Sequence, residues 1–215
     1  MAHKGKKIKV NEIFYDIEGE GQYQGYGTLF IRLTGCNLRC KWCDTKQAYT
    51  KGDLKSVNEL LEIIKLSPYK YINITGGEPL NQKQEVLSLI KQVQKLKQSK
   101  IKGFDKIISV ETNGAVSIKN VNADNISMDL KLPASGEHKK MLFSNLALLK
   151  PKDQLKLVIS SKKDMDYAVE ILQKHPVKCV IYAQPVFGAI KLDKIKAYIM
   201  NNKLKWKASI QLHKI

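Results

Sequence analysis

Leu29-Phe30-Ile31-Arg32-Leu33-Thr34-Gly35-Cys36-Asn37-Leu38-Arg39-Cys40-Lys41-Trp42-Cys43 is the stretch from which the fold is read. Residues 29–34 form a short β-rich run, and the chain then passes through a glycine into three cysteines spaced C-x3-C-x2-C. A strand that hands over directly to a loop bearing reactive side chains is the arrangement of parallel α/β folds. Their sites gather at the carboxyl ends of strands.

The same handover recurs along the chain. Further strands are predicted at 69–75, 106–111, 125–129, 155–160, 178–182 and 207–212. Polar residues follow them: Thr75 and Glu78, Glu111 to Asn113, Asp129 to Lys131, Gln184, and His213. Ser56 and Glu59 have capping-box spacing before the stripe Leu60, Leu61 and Ile64. Other helices are predicted at 82–97, 138–149, 165–174 and 193–201. Strand–helix alternation implies parallel strands with right-handed crossovers. We read residues 1–215 as one α/β domain, an incomplete (β/α) barrel of about six parallel strands. An open doubly wound sheet is the alternative.

The 215 residues suffice to bury a core, and 43% of them are hydrophobic. No apolar run reaches the roughly 18 residues of a membrane span, and the basic start leads into no signal region. A cytoplasmic protein with no membrane partner is therefore expected. The formal charge is +17, yet only Arg32 and Arg39 are arginine. Nucleic-acid readers draw on arginine's planar fork. Dispersed lysine is instead a solvated surface, and nucleic acid is not an expected partner.

Three thiolates on one loop can hold three corners of a [4Fe–4S] cube, and a full set is usually four. No fourth Cys is near Cys36, Cys40 and Cys43, so one iron is left open to bind a substrate. The competing reading is a zinc site completed by Cys179. Zinc ribbons pair two C-x2-C knuckles, whereas this chain has one, and Cys179 lies in an apolar strand pattern.

The cysteine loop, with Trp42 before its last Cys, resembles that of the radical SAM superfamily. The resemblance implies that S-adenosylmethionine chelates the open iron. One-electron cleavage then yields methionine and a 5′-deoxyadenosyl radical. Thr75-Gly76-Gly77-Glu78-Pro79 adds to it. Its glycines admit close backbone approach, and Glu78 is expected to hold the cationic amine of S-adenosylmethionine.

Five further segments narrow the resemblance: Glu18-Gly19-Glu20-Gly21, Asp44-Thr45, Glu111-Thr112-Asn113-Gly114, Asp129-Leu130-Lys131 and Gln211-Leu212-His213-Lys214. Together they resemble the 7-carboxy-7-deazaguanine synthase (QueE) family, with its trimmed core, over nearly the whole chain. The family contracts the ring of 6-carboxy-5,6,7,8-tetrahydropterin with loss of ammonia, on the route to deazapurines such as queuosine. The resemblance implies a [4Fe–4S] cluster, S-adenosylmethionine, Mg²⁺, a pterin substrate, an external one-electron reductant and a homodimer.

It also implies roles. Trp42, Cys43, Asp44, Gly77, Glu78, Asp129, Leu130, Lys131, Gln184 and Pro185 would surround S-adenosylmethionine, and Thr45 would offer Mg²⁺ a hard oxygen. Ile17, Glu18, Gly19, Arg32, Thr75, Glu111, His213 and Ile215 would hold the substrate, with Arg32 on its carboxylate. Two departures stand out. The family often has Gln where this chain has Glu18, and many members run several residues beyond the His-Lys pair, which leaves Ile215 to make the terminal contact. The rival is a glycyl-radical activating enzyme, which shares the cysteine loop, the Gly-Gly-Glu-Pro turn and the Asp-x-Lys strand end but acts on a protein. An iron–sulfur scaffold without turnover is the non-enzymatic alternative.

Overall fold

Strand side chains project alternately to two faces, and this chain sends apolar residues to one face and polar residues to the other. The structure, a computed structural model, describes residues 6–99, 101 and 103–214. In β2 (Gly27–Leu33), Leu29, Ile31 and Leu33 are buried on the outer face, while Phe30 and Arg32 point to the inner one. The pattern repeats with Ile72 and Ile74 against Asn73 and Thr75 in β4 (Tyr71–Gly76). In β5 (Ile107–Thr112), Ile108 and Val110 oppose Ser109 and Glu111; in β7 (Gln154–Ile159), Leu155, Leu157 and Ile159 oppose Gln154 and Lys156.

The outer residues form one core with four helices: α1 (Val57–Leu66), α2 (Lys83–Gln98), α3 (Lys162–Lys174) and α4 (Leu192–Asn201). Both capping-box bonds of α1 are made, Glu59 N to Ser56 Oγ at 3.1 Å and Ser56 N to Glu59 Oε2 at 2.6 Å.

With β1 (Lys7–Ile17), β3 (Asp53–Ser56), β6 (Asn125–Asp129), β8 (Val180–Pro185) and β9 (Trp206–Ala208), the sheet runs β3-β1-β2-β4-β5-β6-β7-β8-β9. From β2 through β4 to β9 every pairing is parallel, giving seven parallel strands. Their spatial order follows chain order without reversal. Right-handed crossovers then keep the helices on one face, and no switch point of the doubly wound kind exists. The incomplete barrel is the correct alternative. Register places the inner residues side by side, Arg32 opposite Thr75 and Asp129 opposite Lys156.

Three details differ from the sequence reading. The antiparallel strands β1 and β3 were not predicted; β1 alternates weakly because its last residues are exposed. The helix predicted at 138–149 is instead two 3₁₀ turns, His138–Lys140 and Phe143–Leu148. Asn145 explains the second: its buried amide donates to Gly114 O at 3.0 Å and Val116 O at 2.8 Å and accepts from Ile118 N at 3.0 Å. That side chain braces two crossovers, a role that replaces a helix. The last strand ends at Ala208, so His213 belongs to a 3₁₀ turn (Leu212–Lys214) rather than a strand end.

Candidate active site

The cysteine loop leaves β2 through Gly35, which has φ +97° and donates its N–H to Ala48 O at 2.8 Å. The Gly76-Gly77 turn after β4 packs directly against it. A Cβ at Gly77 would lie 2.4 Å from Gly35 O and 2.9 Å from Cys36 Cβ. The two glycines therefore serve the approach of one loop to another. Glu78 N donates to Gly35 O at 2.7 Å and completes the contact.

The Glu78 side chain turns away from the cavity. It is fully buried and off the cavity wall, and it accepts from Leu80 N at 2.9 Å, Asn113 N at 2.6 Å and Thr112 Oγ1 at 2.8 Å. It fastens the β4 turn to the end of β5. Burial pushes its carboxyl up to about 7 in spite of these donors.

Cys36, Cys40 and Cys43 are free, half-buried and on the wall of a cavity of about 590 Å³. Cys36 Sγ receives Leu38 N at 3.4 Å and Asn113 Nδ2 at 3.8 Å. Burial raises the Cys36 and Cys40 thiols. Cys179 belongs to the hydrophobic core, where burial pushes its thiol up to about 12. Among the described residues no three His, Cys, Asp or Glu side chains stand as close as one metal ion would need. Thiolates of a cluster each take their own iron, so a loop of three half-buried cysteines facing a cavity fits a cluster.

The cavity floor is charged. Lys156, 3% exposed at its side chain, reaches Glu20 Oε2 at 2.6 Å, pairs tightly with Glu111 Oε1 and stands 3.6 Å from Asp129 Oδ1. Burial opposes its charge, but Glu111 and then Glu20 hold its pKa well above the ordinary lysine value. Glu20 is likewise buried, and Lys156 draws its carboxyl down to about 2. Asp129 Oδ2 pairs with Lys131 at 2.5 Å, which keeps Lys131 charged against its burial. Thr75 Oγ1 donates to Glu111 Oε2 at 2.9 Å.

Arg32 stands on the wall over the Phe14 ring at 5.2 Å, and its Nε donates to Glu12 Oε1 at 2.6 Å. The C-terminal turn crosses the same wall. Leu212 N donates to Gly19 O at 3.1 Å, Gln211 Nε2 to Glu20 Oε1 at 2.6 Å, and Lys214 pairs with Asp44 at 2.6 Å. Gly19 lets this turn approach closely, because a Cβ would lie 2.6 Å from His213 Nδ1 and the imidazole would have to shift. Thr45 Oγ1 donates to Asp44 Oδ1 at 3.0 Å.

The predicted residues thus converge. Ile17, Glu18, Gly19, Arg32, Thr75, Glu111 and His213 share one cavity with the three cysteines, Trp42, Asp44, Thr45, Gly77, Asp129 and Lys131. Glu78, Leu130, Gln184 and Pro185 are not on its wall. Ile215 lies outside the described residues. Lys156 was missed, as was the ion-pair role of Glu20. The signal was a lysine at the inward parity of an otherwise apolar strand, two residues after Gln154.

The model of the radical SAM superfamily matches residues 30–141. The 7-carboxy-7-deazaguanine synthase of Methanospirillum hungatei is 39% identical, across 99% of this chain and 87% of that protein. The enzyme of the same name from Clostridium acetobutylicum is 39% identical, across 96% and 95% of the two chains. The crystal structure of QueE from Escherichia coli superposes with a TM-score of 0.76 at 23% identity, covering 95% of this chain and 94% of that one. That likeness carries the fold.

Proposed function

Since the chain belongs to the radical SAM superfamily and, within it, to the 7-carboxy-7-deazaguanine synthases, we propose specific tasks for the residues of its cavity. The reaction is the radical ring contraction that yields 7-carboxy-7-deazaguanine in deazapurine biosynthesis. Cys36, Cys40 and Cys43 would hold a [4Fe–4S] cluster, which with S-adenosylmethionine would supply the hydrogen-abstracting radical.

The observation that carries these assignments is the facing of the cysteine loop and the Lys156 floor across one cavity. Arg32 takes the carboxylate of 6-carboxy-5,6,7,8-tetrahydropterin. Only its Nε is engaged among the described residues, which leaves both Nη groups for a forked contact. Glu111 and Thr75, fixed to each other and to Lys156, meet the pterin's polar edge from below. Backbone groups of Ile17, Glu18 and Gly19, with His213 behind them, hold the ring from the side. Gly77 would leave room for the methionine end of S-adenosylmethionine, and Asp129 and Lys131 would meet its polar groups.

Mg²⁺ belongs at Thr45 when the substrate supplies further oxygens, since one hydroxyl is a poor octahedral site. Half-buried reduced thiols suit the cytoplasm, and no helix among the described residues is long and apolar enough to cross a membrane. A homodimer contact is supported by the exposed pair Tyr15 and Tyr69, whose rings are 5.4 Å apart.

The test is direct. Cluster-reconstituted protein given S-adenosylmethionine, Mg²⁺, a one-electron reductant and the carboxypterin should form 7-carboxy-7-deazaguanine, read by mass. Cleavage of S-adenosylmethionine without that product would return the choice to the protein-activating rival.

A further inference from the structure

Asn113 directly follows β5 and reaches across to the cysteine loop. It is 7% exposed and stands on the cavity wall. Its amide nitrogen donates to Asn37 Oδ1 at 2.8 Å and to Cys36 Sγ at 3.8 Å. The two ends of an amide are told apart by their partners. Here Oδ1 accepts from Ala115 N at 2.9 Å, so Nδ2 is the end that faces the cysteine. A side-chain amide has two hydrogens, and both are placed.

The backbone beneath this amide is held as well. Asn113 N donates to Glu78 Oε2 at 2.6 Å, and Glu78 N donates to Gly35 O at 2.7 Å. Gly35 precedes Cys36, so the buried Glu78 ties the donor and its acceptor to one frame. Leu38 N adds a second donor to the same sulfur at 3.4 Å. That backbone donor comes with the turn of the loop itself. Asn113 arrives from 77 positions away, and only the packing of β5 against the loop supplies it.

We propose that Asn113 raises the reduction potential of the cluster held by Cys36, Cys40 and Cys43, by donating a hydrogen bond to the Cys36 thiolate. Reduction adds an electron, and part of its charge falls on the thiolate sulfurs. Hydrogen bonds to those sulfurs are among the factors that set the potential of an iron–sulfur centre. An N–H group binds a more negative acceptor more strongly. The Asn113 amide therefore favours the reduced state and eases entry of the electron from the external reductant. This inference rests on the cluster reading above and deepens it, and it is independent of the substrate.

The experiment titrates the cluster-loaded protein against potential and reads the reduced cluster by electron paramagnetic resonance, with iron content measured beside it. Asn113→Leu keeps the volume and removes the donor. Asn113→Asp also removes the donor but keeps the oxygen that Ala115 N uses. In both, the ratio of reduced to oxidised cluster at the wild-type midpoint should fall about three- to tenfold, a drop of about 30–60 mV at about 59 mV per tenfold. Asn113→Asp should lie lower of the two because of its charge, and iron per protein should stay at the wild-type level. An unchanged midpoint in Asn113→Leu overturns the proposal even if Asn113→Asp is shifted, because charge alone would explain that shift. Should either variant lose its iron, the wild type gives the decisive reading. With a heavy-nitrogen label in its asparagine amides, pulsed paramagnetic resonance of the reduced cluster should show a coupling to that nitrogen, and its absence overturns the proposal. If the wild type takes up no cluster, the cluster reading falls and this inference falls with it. A wild-type cluster whose potential Asn113→Leu does not move leaves the cluster reading standing and removes Asn113 alone.

Discussion

Lys156 Nζ on β7 lies 2.6 Å from Glu20 Oε2, which belongs to the loop after β1. This contact ties β7 to the loop after β1 across the cavity floor, and four strands lie between β1 and β7 in the curved sheet. Lys156→Met would leave the largely buried Glu20 and the partly exposed Glu111 without their cation. Loss of one partner from a buried network costs about 3–5 kcal/mol, which urea denaturation should report as a lower midpoint at unchanged slope. The pH dependence should change as well. Glu20 ionises more readily folded than unfolded, so its stabilisation is present above about pH 4.5 and is lost as pH falls toward about 2. Glu18 and Glu78 are raised to about 7, so their contribution is present below about pH 4.5 and is lost as pH rises through 7. Lys156→Met should flatten the acid limb and, by removing a charge that lowers the Glu18 carboxyl, extend the alkaline limb upward in pH. An acid limb identical to wild type would remove Glu20 as its source.

Cys36→Ala, Cys40→Ala and Cys43→Ala should each fold but lose the brown chromophore after reconstitution. Cys179 stands in the core away from the cavity wall. Cys179→Ala should keep both the chromophore and cleavage of S-adenosylmethionine, at a stability cost of about 1 kcal/mol. Loss of the cluster in that variant would show that three ligands are not enough.

Arg32→Ala should retain cluster and S-adenosylmethionine binding while kcat/KM for the carboxypterin falls. Removal of a charge-assisted fork costs about 2–4 kcal/mol, a fall of about 30- to 900-fold. Glu12 holds only Nε, so Glu12→Gln should change kcat/KM by less than about tenfold. Equal losses in the two variants would mean that the pair, not the free face of Arg32, matters.

Thr45→Val keeps shape and removes the hydroxyl that Asp44 receives. It should flatten the dependence of turnover on Mg²⁺ and leave the cluster spectrum intact. A melting temperature measured beside the titration separates ligand loss from loop damage. A wild-type Mg²⁺ response in Thr45→Val would take the ion away from this residue.

Much of this protein was legible in the chain. The C-x3-C-x2-C spacing is local chemistry, since ligands of one loop are held together by covalent connection alone. The parallel strands were legible because β-rich runs alternate with helical stretches along the chain, and each such helix is a crossover between parallel neighbours. Sequence spacing also gave the capping box of α1, whose two bonds span only three residues.

The remainder depended on partners distant in sequence. Glu78 carries the same motif whether its carboxylate meets a ligand or Asn113 and Thr112, and only the packing of β4 against β5 decides for the latter. The segment 138–149 has helical composition, yet the buried amide of Asn145 binds backbone groups some 30 residues earlier and holds 3₁₀ turns instead. Lys156 and Glu20 are separated by 136 positions. Their pairing arises because the closing sheet brings β7 opposite the β1 loop in a space that excludes water, where an unpaired charge is too costly to leave. Residue types and spacing thus determined which chemistry the chain carries, and desolvation in the folded barrel decided which of its charged groups are committed to one another and which remain for a ligand.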